Sequence, residues 1–114
     1  MTGRAPLEAR LWLAQRVSAA VLALCVAVHL ATIVLAARGG LGAAEILGRT
    51  RGSWAWAGFY GAFVLAVAVH APLGLRAILT EWTSWRGRSL DAALAAFALA
   101  LLIGGWRAIG GLFA

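Results

Sequence analysis

Two histidines set the chemical possibilities of this chain of 114 residues: His70, in the stretch His70-Ala71-Pro72-Leu73-Gly74-Leu75-Arg76 with Glu81 just beyond, and His29, deep in an apolar run. An ionisable ring is costly in such surroundings, which makes each a functional candidate. A neutral imidazole can ligate a metal, relay a proton or hydrogen-bond to a neighbouring helix. Wound as a helix, His70, Gly74, Ala77 and Glu81 share one side, and Ala66 and Phe63 carry that stripe in the other direction. A flat, bulky group can lie against it, with Gly74 removing side-chain volume one turn from the ring. Pro72 donates no backbone hydrogen bond and crowds the carbonyl of Ala68, so a bend or a loosened turn is predicted within one turn of His70.

The elements that must hold these residues are apolar runs. Hydrophobic residues make up 63% of the chain, charged ones 12%, and the mean hydropathy is +0.89. A soluble domain carries about 25% charged residues, so the composition reads as an integral membrane protein. The runs cover about residues 11–37, 54–79 and 90–112, and each reaches the roughly 20 residues that a spanning helix needs. The fold class is therefore all-α, with three transmembrane helices in one membrane-anchor domain over residues 1–114. The short polar segment with Arg4 and Arg10 is followed by a run too long for a signal peptide, which predicts an uncleaved span. Gly39, Gly40 and Gly42 end the first run, and Glu45, Arg49 and Arg51 mark a loop in water or headgroups.

Ten arginines and no lysine stand against Glu8, Glu45, Glu81 and Asp91, for a net charge of +6. Their place beside apolar runs fits anchoring to anionic headgroups rather than binding of nucleic acid. Three spans put Arg4, Arg10, Arg16, Arg76, Arg86 and Arg88 on one side and Arg38, Arg49, Arg51 and Arg107 on the other. That excess predicts a cytoplasmic N-terminus. Trp12, Trp54, Trp56, Tyr60, Trp82, Trp85 and Trp106 fall near the predicted span ends, as interfacial anchors do. Cys25 lies within a span, cannot form an intrachain disulfide and reads as a small packing residue.

A dry helix bundle offering neutral imidazole suits a b-type haem, so His70 and His29 are candidate axial ligands of haem iron. The alternative for each is a packed or hydrogen-bonded histidine, or a proton relay. From the predicted span ends and a rise of 1.5 Å per residue, the two rings should differ in depth by about 10 Å. That predicts separate irons rather than one shared iron. Ser18, Leu22, Cys25, Val26 and Ile33 are placed around His29 on the first helix. Arg16, in Gln15-Arg16-Val17-Ser18, is close enough to the interface to snorkel. Arg76 falls about 9 Å nearer the cytoplasm than His70, where it can neutralise a carboxylate or a lipid phosphate. Glu81 falls at the interface, within reach of Arg86 or of a partner subunit.

These residues resemble the cytochrome b membrane-anchor subunits of succinate dehydrogenase and fumarate reductase. That family often reads His-Arg-x-Ser-Gly in its first helix; Gln15-Arg16-Val17-Ser18-Ala19 keeps the arginine and the serine and lacks the histidine and the glycine. In the second helix the family reads His-x-x-x-Gly-x-Arg with an acid five residues on, matched by His70, Gly74, Arg76 and Glu81. The resemblance implies that His70 ligates haem b, that Arg16 and Ser18 lie near quinone or the haem propionates, and that Arg76 faces a propionate. Members with two haems also place a histidine in the first helix, as His29 is placed here.

The implied activity is that of a non-flavin membrane subunit of a succinate:quinone oxidoreductase in the respiratory chain and tricarboxylic acid cycle. Electrons would pass from succinate at a flavoprotein, through an iron-sulfur subunit, to haem and quinone in the membrane. This chain would not be catalytic alone, since it has no nucleotide fingerprint and one cysteine. One ligand per depth also leaves each iron short of an axial partner, which a second membrane-anchor subunit or a second copy would supply. The setting implied is a bacterial inner membrane. Rival readings are a haem-free anchor, a cytochrome b subunit of a hydrogenase or formate dehydrogenase, and a small multidrug-type transporter. The transporter would be expected to carry a membrane-embedded carboxylate, and none is visible in the first or third run.

Overall fold

Backbone groups in lipid find no water, so a chain this apolar must satisfy its peptide hydrogen bonds within helices. The computed structural model, which describes residues 4–114, has four of them: α1 (Arg4–Arg38), α2 (Ala43–Thr50), α3 (Trp54–Trp82) and α4 (Arg88–Phe113). Residues 1–3 and the side chain of Arg4, which enters the arginine balance, lie outside the described residues. Three helices, α1, α3 and α4, are long and apolar enough to cross a membrane. At 35 residues, α1 is about 52 Å long, against a hydrocarbon core of about 30 Å. Its first turns, with the exposed Glu8 and Arg10, therefore project beyond the apolar layer.

α3 is the centre of the arrangement: α1 packs on it from one side and α4 from another, and α2 touches α4. Small residues fill the seams, as packing in lipid favours. Ser18 and Cys25 on α1 and Ala66 on α3 are buried, with Leu90 and Leu94 near the start of α4. Mid-span residues such as Leu24, Leu65 and Leu99 are exposed at 67%, 62% and 58%, which is the surface offered to lipid or to other subunits.

The closest approach is between α3 and α4. A Cβ on Gly105 would stand 2.5 and 2.6 Å from the two methyl groups of Val64 and 3.1 Å from its Cβ. Val64 is β-branched and stiff at χ1, so it cannot swing away. Gly105→Ala is expected to wedge the helices apart and cost about 1–3 kcal/mol, read as a lower melting temperature of the purified complex. Gly104→Ala, which meets nothing within 4 Å, should leave it unchanged.

One expectation is corrected here. The segment after Gly42 is a short helix rather than a loop: α2 places Glu45 in its first turn and Arg49 in its last, which complements the helix dipole. Thr50 turns inward, and its hydroxyl lies 3.5 Å from the carbonyl of Leu112, while Gly52 N–H donates to Phe113 O at 2.8 Å. These contacts tie α2 to the end of α4. α3 runs as one helix from Trp54 to Trp82 with Pro72 buried inside it. A single missing backbone bond is tolerated in a membrane helix whose neighbours support it.

Candidate functional site

α1 and α3 run antiparallel, and the polar residues of each meet at two levels. At the first, on the side of the Thr83–Gly87 connection, Ser18 lies 3.4 Å from His70 Nδ1 and donates its hydroxyl hydrogen to the carbonyl of Gln15 at 3.0 Å. A serine hydroxyl has one hydrogen to give. With that hydrogen on Gln15, Ser18 Oγ accepts from His70 Nδ1–H, and the imidazole keeps its lone pair on Nε2. Nε2 has no hydrogen-bond partner among the described residues, so it is the ring atom able to ligate. Gly74, one turn on, faces Gln15: a Cβ there would be 3.4 Å from Gln15 Nε2. Gln15 Oε1 is buried without a partner among the described residues, a cost of about 1–3 kcal/mol if nothing completes the site. Ser18, His70, Gly74 and Gln15 thus form one cluster.

At the second level His29 Nδ1 lies 3.2 Å from the Tyr60 hydroxyl. Its ring stands edge-on to Tyr60 and Phe63, with centroids 5.7 and 6.0 Å apart. Here too Nε2 is unpartnered among the described residues. The ligating tautomer requires Nδ1–H to donate to Tyr60 Oη, which the separation permits. Trp56 stacks on Tyr60 at 5.9 Å and 25° between planes, which supports the phenol from behind. A cavity of about 540 Å³ opens at His29 and Tyr60, walled by α1, α2, α3 and the end of α4. That volume lies within the roughly 300–1,000 Å³ typical of small-molecule and cofactor sites.

The pairing of Ser18 with His70 and of His29 with Tyr60 fixes the depth of the two rings. Eleven residues of α1 or ten of α3 separate the levels, about 15–16 Å at 1.5 Å per residue. The expected 10 Å is too small, because the helices overrun the apolar runs and their register is set by the packing. A separation of this size places the two imidazoles on different irons if both ligate.

The remaining predicted site residues are placed otherwise. The Arg76 guanidinium is paired with Asp91 in the first turn of α4, a partner not anticipated from the sequence. Arg16 is exposed, its guanidinium 5.2 Å from the Trp12 ring centroid, a cation–π arrangement at the membrane edge. Glu81 is exposed and unpaired with Arg86, whose guanidinium instead donates to the carbonyls of Thr80, Thr83 and Trp85. Tyr60 is not merely an interfacial anchor. Its position a turn and a half inside α3 was the available signal, since the tryptophans around it lie closer to the helix start.

No three His, Cys, Asp or Glu side chains gather among the described residues, so no protein-only metal cage is built there. Two separated imidazoles, each with one nitrogen held and the other available, instead suit a metal whose equatorial ligands come from elsewhere, as in a porphyrin. A family model described as "Succinate dehydrogenase/Fumarate reductase transmembrane subunit" matches residues 1–105, a stretch containing the polar residues of both levels. No curated protein and no solved structure matches the chain. A match over nearly the whole of a chain of three membrane-crossing helices supports a single assignment: the protein belongs to the family of succinate dehydrogenase/fumarate reductase transmembrane subunits.

Proposed function

We propose that this integral, multi-pass membrane subunit binds haem b at both levels, through His70 and His29, and conducts electrons from an iron-sulfur partner to quinone. The observation that carries the reading is the Gln15–Ser18–His70 chain, which holds Nδ1 and leaves Nε2 as a ligand. Bound haem b supplies a one-electron carrier at each level. His70 and His29 would each hold one haem through Nε2, and a second membrane-anchor subunit or a second copy would complete each site. Ser18 and Tyr60 hold the tautomer and the plane of each ring, as groups behind a metal-ligating histidine do. The apolar walls exclude water. The flavoprotein and iron-sulfur subunits dock on the side of the Thr83–Gly87 connection and of the N-terminus, which we place in the cytoplasm of a bacterial cell. An alkaline-phosphatase fusion active at the N-terminus and inactive at Ala114 would reverse that orientation.

Arg16 stands two residues before Ser18 on α1, on the exposed side of the helix at the cytoplasmic membrane edge, and we assign Arg16 to the quinone. Its guanidinium donates to the quinone oxygen that gains negative charge on reduction. Arg16→Ala is expected to lower quinone reduction by ten-fold or more, following the roughly 1.5–3 kcal/mol of a hydrogen bond to a charged group. Succinate oxidation by a soluble dye, which takes electrons before the membrane, should be nearly unchanged. Parental quinone kinetics in a fully assembled variant would make Arg16 an interfacial anchor stacked on Trp12. A reduced-minus-oxidised spectrum without a b-type band would favour the haem-free anchor.

A further inference from the structure

The cavity at His29 has one charged residue in its wall. Its lining brings together His29 and Thr32 of α1, Tyr60 of α3, and Thr50 and Arg49 of α2, among mostly apolar side chains. Arg49 is exposed and has neither an ion pair nor a side-chain hydrogen bond among the described residues. Glu45, four residues back on the same helix, does not pair with it although the spacing allows it. α2 is held in place over the cavity by the Thr50 and Gly52 contacts with the end of α4, so Arg49 is carried on a fixed element. One largely apolar cavity is therefore lined both by an imidazole and by an exposed guanidinium that has no partner among the described residues.

Chemically, that arrangement suits an apolar molecule with an anionic arm. We infer that Arg49 binds the propionate of the haem held by His29 and sets its potential, an inference that rests on the haem reading of His29 given above. A guanidinium and a carboxylate make a charge-assisted, potentially bidentate pair. His29 lies nine residues from the end of α1, about 14 Å along the helix. A propionate arm and an extended arginine side chain, one reaching out from the ring and the other reaching in, bridge such a gap. The positive charge disfavours the ferric state, whose net charge is higher by one, and so raises the midpoint potential of this haem. An anionic phospholipid could satisfy the same guanidinium by its phosphate with an acyl chain in the cavity; the haem is favoured because the lining includes an imidazole and a phenol rather than hydrocarbon alone.

The test is redox titration of the purified, intact complex, followed optically, for the parent and for Arg49→Gln, Arg49→Lys and His29→Ala. The wave missing in His29→Ala identifies the haem at His29. In Arg49→Gln that wave is expected to move to lower potential while the other stays in place; Arg49→Lys, which keeps the charge, should restore most of the shift. Two waves at parental potentials in Arg49→Gln overturn the inference and leave the haem reading standing. The same two waves together with a loss of phospholipid phosphorus per complex assign Arg49 to a lipid instead. A parent with one haem that survives His29→Ala removes the haem reading of His29, and the role of Arg49 with it.

Discussion

Alanine in place of His70 is expected to remove one haem b from each complex, reducing the pyridine haemochrome yield from two haems to one. The expectation follows from the chain of hydrogen bonds behind the ring. Ser18 gives its hydrogen to Gln15 and receives that of Nδ1, which leaves Nε2 as the basic nitrogen. If His70 holds the haem as proposed, no other described histidine can replace its imidazole, since His29 is about 15 Å away along the helices. Ser18→Ala is the milder companion. It leaves the ligand and removes its orientation, and weaker haem retention by about ten-fold is expected, at the low end of what outer-shell partners contribute. A parental haem count in an assembled His70→Ala complex would sink the assignment of this ring.

Alanine at His29 is expected to remove the other haem and leave the spectrum of the first unaltered. The two levels share no side chain, and substitutions so far apart should act independently. The cavity at His29 is walled by α1, α2, α3 and the end of α4, and because its haem would also be held by another membrane subunit, the count is made on complexes that remain assembled. Tyr60→Phe should keep the ring packing of Tyr60 on His29 and Trp56 and remove only the hydroxyl at Nδ1. A broadened or shifted absorption band with near-normal haem content is expected there. One haem in the parent complex, unaffected by replacing His29, would instead make His29 a structural residue bonded to Tyr60.

On the proposed two-haem reading, the two levels would carry electrons part of the way across the bilayer within so short a chain. A single haem at the depth of His70 lies near one surface, whereas a pair about 15 Å apart in depth extends over roughly half of a 30 Å hydrocarbon core. The ion pair of Arg76 with Asp91 joins α3 to α4 on the side of the Thr83–Gly87 connection, so Asp91 shares the guanidinium that the resemblance would turn toward a propionate.

The spans, their number and the identity of the candidate ligands were legible in the sequence because lipid leaves a chain few options. Long apolar runs must be helices, and a histidine within one is conspicuous against neighbours that cannot ionise. The family resemblance was legible for a similar reason, since His70, Gly74 and Arg76 stand at spacings that a helix brings to neighbouring turns. What only the tertiary structure decided is which residues meet across helices. The partnership of Ser18 with His70, of Tyr60 with His29 and of Asp91 with Arg76 depends on the register of α1 against α3 and of α3 against α4. That register is set by buried small residues such as Ser18, Cys25 and Ala66 and by the close fit of Gly105 against Val64, and hydropathy carries no record of it. The helix α2 escaped for a different reason: eight residues are too few to announce a helix by periodicity, and it is stable because Thr50 and Gly52 fasten it to the end of α4, some sixty residues away in the chain.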